Sequence, residues 1–113
     1  MATFTYGTPG VDYQFDDRLL AHLRAVIVSK VRRSESFLFT WIDQTRPGEI
    51  QQSLWIHPAA SMKFTIKDSA SKPLNRAWLD VLTESSNSGF GLTLQSEPEP
   101  TAVPQPKLTP VRL

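Results

Sequence analysis

The sequence contains no cysteine among its 113 residues and only two histidines. The absence of cysteine excludes disulfide bonds, thiolate catalysis and cysteine zinc sites, and it permits a reducing compartment. No apolar run approaches the roughly 20 residues that a helix needs to cross a bilayer. The first six residues also lack the basic and apolar regions of a signal peptide. We therefore expect a cytoplasmic protein without a membrane span.

Motifs for phosphate binding and for nucleophilic catalysis are also absent. Neither G-x-x-x-x-G-K, G-x-G-x-x-G nor G-x-S-x-G occurs. The acidic pair Asp16 and Asp17 is explained as a helix cap followed by a first-turn carboxylate. His22 and His57 show no spacing typical of a metal site, so ordinary hydrogen-bonded histidines are the favoured interpretation. We expect no catalytic residue, no metal and no cofactor, and hence a protein that is not an enzyme.

Acidic residues are missing from residues 18–33, which carry the five cations Arg18, Arg24, Lys30, Arg32 and Arg33. The whole chain is nearly neutral, with 12 basic and 11 acidic residues. This balance argues against a large phosphate-binding footprint. The uneven distribution nevertheless predicts one basic face on the protein.

Hydrophobic periodicity predicts six strands and two helices. Alternation of apolar and polar residues predicts strands at residues 3–6, 11–15, 36–43, 51–57 and 61–67, with a last short strand within 90–94. Apolar residues at three- and four-residue spacing predict two helices, one from Asp16 to about residue 33 and one from residue 73 or 75 to 86. We expect the strands at 36–67 to form an antiparallel meander. The predicted fold is α+β in the order ββαβββαβ, an antiparallel sheet with both helices packed on one face. Residues 1–96 form a single domain in this prediction, and residues 97–113 form a disordered proline-rich tail.

Aromatic residues are concentrated in the predicted strands. Phe37, Phe39 and Trp41 alternate with Leu38 and Ile42, so both faces of this strand are apolar and we expect it to be central or covered twice. Each tryptophan lies in a periodic run, which favours core packing for Trp41, Trp55 and Trp78. The alternative is an exposed aromatic surface that stacks a ligand.

Four segments, residues 15–23, 30–37, 55–58 and 75–79, together carry a resemblance to a known family. The chain resembles small actinobacterial proteins of unknown function that are often labelled ATP-dependent DNA ligase. The resemblance covers most of residues 3–98 and implies a shared small fold and at most a connection with DNA. It does not imply ligase chemistry, because Lys67-Asp68-Ser69 departs from the K-x-D-G motif that adenylation requires.

Three functional hypotheses remain open at the level of sequence. The leading one is a non-catalytic interaction module whose basic helix face, with Arg18, His22, Arg32 and Arg33, meets a protein partner or a second copy of the chain. The alternative is nucleic-acid binding through the same face, extended by Lys63 and Lys67. The third is a small-ligand patch formed by Trp41, Trp55 and His57, which requires a concave pocket.

Overall fold

The computed structural model describes residues 1–43, 47–68 and 73–99. Its elements are β1 (Ala2–Tyr6), β2 (Val11–Phe15), α1 (Asp17–Arg32), β3 (Phe37–Asp43), β4 (Ile50–Ile56), β5 (Met62–Thr65), α2 (Arg76–Ser86) and β6 (Leu92–Thr93). The α+β class and the order ββαβββαβ are confirmed. From residue 100 onward the predicted tail lies outside the described residues, so its disorder stays a prediction.

The strands form two small sheets. The first has the order β2-β1-β5, and the second has the order β4-β3-β6 with β6 parallel to β3. The predicted meander is wrong for β5, which pairs with β1 instead of β4. Aromatic packing explains this choice, because the ring of Phe64 on β5 stacks on the buried Phe4 of β1 with centroids 5.0 Å apart.

A capping side chain precedes the first residue of each helix. An Asp16 carboxylate oxygen accepts a hydrogen bond from the backbone N–H of Leu19 at 3.1 Å. At α2 the Asn75 side chain accepts from the N–H groups of Ala77 and Trp78. These contacts satisfy amides that have no partner within their own helix. The N-cap predicted at Asp16 is therefore confirmed, and of the two predicted starts of the second helix, near residue 73 or near residue 75, the structure has the second.

One hydrophobic core joins the inner faces of both sheets to the two helices. Phe15 of the first sheet contacts Phe39 and Trp41 of the second, with ring centroids 5.8 and 5.3 Å apart. The prediction of core packing is confirmed for Trp41 and Trp78, which are 7% and 5% exposed. It is wrong for Trp55, which is 57% exposed. No helix in the described part of the chain is long and apolar enough to cross a bilayer.

Helix α2 also closes one edge of the second sheet. The Ser85 hydroxyl accepts a hydrogen bond from the backbone N–H of Thr93 at 3.0 Å and lies 3.0 Å from the Thr93 hydroxyl. It donates toward the carbonyl of Gly91 at 3.3 Å. Since these groups lie at the open side of β6, the helix supplies the partners that a further strand would otherwise provide.

Candidate interaction surface

The outer face of the second sheet, which points away from the core, carries exposed apolar side chains. Leu38 on β3 and Trp55 on β4 are cross-strand partners. They are 37% and 57% exposed, whereas Phe37 and Ile56 on the opposite face are 5% and 0% exposed. Strand β3 is central, which is one of the two predicted arrangements, and Leu38 and Ile42 on its outer face are 37% and 42% exposed. This face therefore offers apolar area to a binding partner.

Phe90 lies in the loop between α2 and β6 and is the most exposed large apolar side chain of this loop, at 85%. Its backbone is nevertheless fixed. The Ser88 hydroxyl accepts from the Phe90 N–H at 3.3 Å, and the Gly91 N–H donates to the Ser88 carbonyl at 3.1 Å. We name Leu38, Trp55 and Phe90 the Trp55 surface; all three line one open cleft of about 740 Å³.

A buried cation forms the polar end of this cleft. Lys30 is only 7% exposed, and its Nζ donates to Asn87 Oδ1 at 2.8 Å and pairs with Glu35 at 3.0 Å. The same ammonium lies 5.7 Å from the ring centroid of Phe37. Hydrogen bonds from Lys30 and then Arg33 lower the pKa of the half-buried Glu35 carboxyl. Lys30 thus ties the end of α1 to the end of α2 and stabilises one wall of the cleft.

The basic face of α1 is smaller than the charge count suggests. A shallow depression of about 610 Å³ is lined by Arg24, Val28, Arg32 and Arg33 among others. Arg33 is paired with Glu35 at 3.4 Å. For Arg24 and Arg32, the described ranges contain no carboxylate within ion-pair distance. Within these ranges, the guanidinium groups of Arg24 and Arg32 therefore remain unpaired on this face.

His22 does not lie on the exposed polar face of α1, so that prediction is wrong. The ring is fully buried and packs against Trp78, with ring centroids 4.5 Å apart. Its Nε2 accepts a hydrogen bond from the backbone N–H of Asn75 at 2.8 Å, and its Nδ1 lies 2.8 Å from the Arg18 carbonyl oxygen. Because Nε2 accepts, the ring is neutral with its proton on Nδ1. His22 joins the two helices and is not available to a partner.

Arg18 is likewise used within the fold. Its guanidinium donates to both carboxylate oxygens of Glu97, with Nε to Oε1 at 3.1 Å and Nη2 to Oε2 at 3.1 Å, and also to the carbonyl of Pro73. The Asn75 amide donates to Glu97 Oε2 and to the carbonyl of Pro98. The first two residues of the segment predicted as a tail therefore contact the domain. Hydrogen bonds from Arg18 and then Asn75 lower the pKa of the Glu97 carboxyl.

We expect the Glu97 contacts to produce a specific pH dependence of stability. A carboxyl whose pKa is lowered by folding stabilises the folded state above its unfolded pKa, near the usual value of 4.5, and loses this contribution as the pH falls through the lower folded value. The substitution Glu97→Gln should therefore lower the urea unfolding midpoint at pH 7, and the difference from the parent should shrink below about pH 4.5. Glu99→Gln is the control, because Glu99 has no ion pair within the described segments. A Glu97→Gln effect of equal size at pH 7 and pH 3 would contradict this assignment.

The remaining predicted site residues are not brought together. Lys63 is exposed on the outer side of the first sheet, and Lys67 is exposed just beyond β5 in the same alternation. Helix α1 packs against the other side of that sheet, so neither lysine extends the basic face. Trp41 and Trp55 point to opposite faces of the second sheet, and the exposed His57 accepts from the Ala59 N–H at 3.0 Å. Trp41, Trp55 and His57 therefore do not form a single patch.

A second cleft, of about 620 Å³, lies where both helices begin, and Trp41 forms part of its wall. Its acidic groups already have structural partners, since Asp16 caps α1, Asp43 accepts from the Gln52 amide and Glu97 binds Arg18. Within the described residues, no group of three or more His, Asp or Glu side chains could hold a metal ion. The polar groups in this cleft are used to hold the fold together.

The sequence did not predict that Leu38 and Phe90 belong to a binding surface, although it contained a signal for Leu38. Leu38 belongs to the second apolar face that the alternation in β3 revealed, and it directly opposes Trp55 across the ladder. Nothing in the sequence indicated that Phe90 is exposed, because its alternation with Leu92 and Leu94 also fits a buried strand. Only its position in a turn before a two-residue strand leaves its ring exposed.

The fold and this surface define a small α+β protein with an exposed aromatic patch on one sheet. Residues 1–97 match the family described as Domain of unknown function (DUF7882), and the chain belongs to this family. The match covers both sheets and both helices, and it ends at Glu97. Comparison with curated proteins and with solved structures finds no match.

Proposed function

We propose that this chain is a non-catalytic interaction module that binds a protein partner through the Trp55 surface. The observation that carries the proposal is the exposure of Trp55 and Phe90, 57% and 85%, on a backbone held by hydrogen bonds. Aromatic side chains are enriched at the centres of protein interfaces, where they contribute much of the binding energy. A fixed backbone lowers the entropy lost when such side chains are immobilised.

The use of the polar groups supports a binding role over catalysis. His22 joins the helices, Glu97 is bound by Arg18, and Lys30 is bound by Glu35 and Asn87. Each is positioned by partners from other elements, as is expected of groups that hold a fold together. The sequence also lacks the K-x-D-G motif that adenylation by a ligase requires. We propose the cytoplasm as the location, on the absence of cysteine.

Nucleic-acid binding through the basic face of α1 is the second candidate. It is supported by Arg24 and Arg32, which have no carboxylate partner among the residues that the structure describes. Charge reversal of both should weaken such binding, and the affinity should fall steeply with salt, by about 0.9 logarithmic units per released phosphate contact per tenfold increase in salt. Nucleic-acid binding is less well supported than protein binding through the Trp55 surface, because two guanidinium groups provide few phosphate contacts.

Site-specific photocrosslinking tests the proposal. Benzoylphenylalanine at position 90 replaces one exposed aromatic side chain by another, and the same group at positions 32 and 65 probes the basic face and the exposed side of the first sheet. With a lysate of the source cells, we expect a discrete protein product from position 90 that Trp55→Ala removes. Thr65 is the matched control, because it is exposed on β5 and belongs to the other sheet.

The pattern over the three positions distinguishes the candidates. Equal products from positions 90 and 65, or no product from position 90, would contradict binding at the Trp55 surface. A nuclease-sensitive product confined to position 32 would support the nucleic-acid alternative. Circular dichroism of the Trp55→Ala variant should match that of the parent, because a 57% exposed side chain contributes little to the core.

A further inference from the structure

Among the described residues, no strand pairs with the outer edge of β4, which is therefore an edge strand of the second sheet. It pairs with β3 on one side only, in the order β4-β3-β6. The Tyr6 hydroxyl donates to the Trp55 carbonyl at 2.7 Å and accepts from the His57 N–H at 2.9 Å. These backbone groups must therefore point away from β3, which occupies the other side of the strand.

The position of Tyr6 fixes the orientation of the remaining backbone groups. Because these groups alternate along a strand, Gln51 and Ser53 point their N–H and C=O groups to the same open side as Trp55. In the part of the chain that the structure describes, no other backbone group bonds to Gln51 or Ser53 at this edge. Both residues are exposed. The edge therefore offers unpaired backbone donors and acceptors at Gln51 and Ser53, whereas the Trp55 carbonyl already accepts from the Tyr6 hydroxyl.

The four outer edges of the two sheets differ in how they are protected. Natural sheets protect free edges with charges, proline, or a covering element. In the first sheet, the edge strands β2 and β5 carry Asp12 and Lys63, and Ser85 of α2 closes the edge at β6. Strand β4, with the sequence IQQSLWI, has no charged residue and no proline. Among these described edges, it alone lacks such protection.

We propose that two copies of this chain associate by antiparallel pairing of their β4 strands. Ser53 lies opposite Ser53 of the second copy, and Gln51 lies opposite Trp55. About six backbone hydrogen bonds form in this register. The carbonyl of Trp55 can accept from Tyr6 and from the second copy, because it has two lone pairs. The second copy is the fitting occupant because an uncharged strand pairs with itself without like-charge repulsion.

The sequence around β4 limits this association to a closed dimer. Glu49 precedes the strand and Pro58 follows shortly after its end, so pairing beyond the seven residues is disfavoured. A two-fold axis through Ser53 uses the same edge of both copies and leaves no second free β4 edge. The dimer uses the edge of β4, whereas the proposed partner contacts the face that carries Trp55. Each of the two proposals can therefore fail without the other.

Charge substitution at the two-fold axis tests the dimer with the full chain. We expect the parent to sediment as a dimer in equilibrium with monomer. Ser53→Lys and Ser53→Glu should each weaken self-association by about fivefold or more, because like charges then lie directly opposite each other. An equimolar mixture of the two variants should restore a species of two chains. Thr65→Lys, on the exposed side of another edge strand, should leave the dimer unchanged.

Amide hydrogen exchange of the parent provides a measurement that needs no substitution. The amides of Gln51 and Ser53 should become protected as the protein concentration rises, while those at the edge of β2 should not change. A parent that stays monomeric up to about 0.5 mM would overturn the proposal, since a dimer that weak contributes less than about 5 kcal/mol of binding. Unchanged association of Ser53→Lys, or exchange at these amides that does not depend on concentration, would overturn it as well.

Discussion

Replacing Gly91 with alanine is expected to destabilise the protein by about 2–4 kcal/mol, one of the two largest effects that we predict. Gly91 has φ +81°, a backbone conformation that side chains disfavour. A Cβ atom at this position would overlap the carbonyl oxygen of Leu38 and lie 3.1 Å from its carbonyl carbon. Because the obstacle is the backbone of a central strand, no side-chain rotation relieves the overlap.

Gly89, two residues earlier in the same loop, is the matched control for this prediction. No atom lies within 4 Å of a Cβ built at that position. Gly89→Ala should therefore change the free energy of unfolding by less than about 0.5 kcal/mol. Urea unfolding monitored by tryptophan fluorescence and by circular dichroism measures both variants. Equal stability of the Gly91→Ala and Gly89→Ala variants would show that β3 and this loop do not approach each other as described.

The approach of Gly91 to Leu38 also determines where Phe90 lies. The loop residue before Gly91 is held beside the outer face of β3, next to Trp55 on the neighbouring strand. A displaced loop should therefore reduce crosslinking from position 90 even where the fold survives. The same backbone contact thus links the stability of the second sheet to the geometry of the Trp55 surface.

The local parts of the fold could be predicted from the sequence because short-range chemistry determines them. Asp16 and Asn75 cap their helices through hydrogen bonds to residues two or three positions further on. Alternation along β3 separated Phe37 and Phe39 from Leu38, whichever sheet the strand joins. Such signals depend on neighbours in sequence, and they predicted the order of all eight elements.

The pairing of β5 and the burial of His22 could not be predicted in the same way. Strand β5 could pair with either β4 or β1, and the packing of Phe64 on Phe4, sixty residues away in sequence, decided between them. His22 lies on the side of α1 where most residues are polar. Helix α2 packs against this side and places Asn75 and Trp78 against the His22 ring. Helical periodicity predicts which residues share a face, and it does not reveal which second element packs there.

The same limit applies to the candidate site. Five cations without an acid between residues 18 and 33 indicated a broad basic face. The acids that neutralise it lie elsewhere in the chain: Glu97 binds Arg18, and Glu35 binds both Lys30 and Arg33. Charge counted along a single helix therefore overstates the charge of its surface. Apolar alternation on β3 was the better guide, since a second apolar face on a central strand needs a cover or a partner.

His22 is the position of the second large predicted effect. Leucine there would have a similar volume, but it would leave the buried N–H of Asn75 without an acceptor, since this N–H donates to His22 Nε2 at 2.8 Å. An unsatisfied buried donor costs about 1–3 kcal/mol. The ring contact between His22 and Trp78 is lost as well, so we expect His22→Leu to destabilise the protein by about 2–3 kcal/mol.

His22→Gln separates the hydrogen bond from general packing. A glutamine side-chain oxygen can reach the position of Nε2 and accept from Asn75, so this variant should lose about half as much stability or less. Urea unfolding of both variants measures the difference in their free energy of unfolding. Hydrogen exchange of the Asn75 amide reports on the hydrogen bond itself. If His22→Leu and His22→Gln are equally stable, the hydrogen bond to Asn75 does not hold α2 to α1. The predicted order of stability, with His22→Gln above His22→Leu, follows from a single acceptor atom, because His22 Nε2 binds the N–H of Asn75, the residue that caps α2.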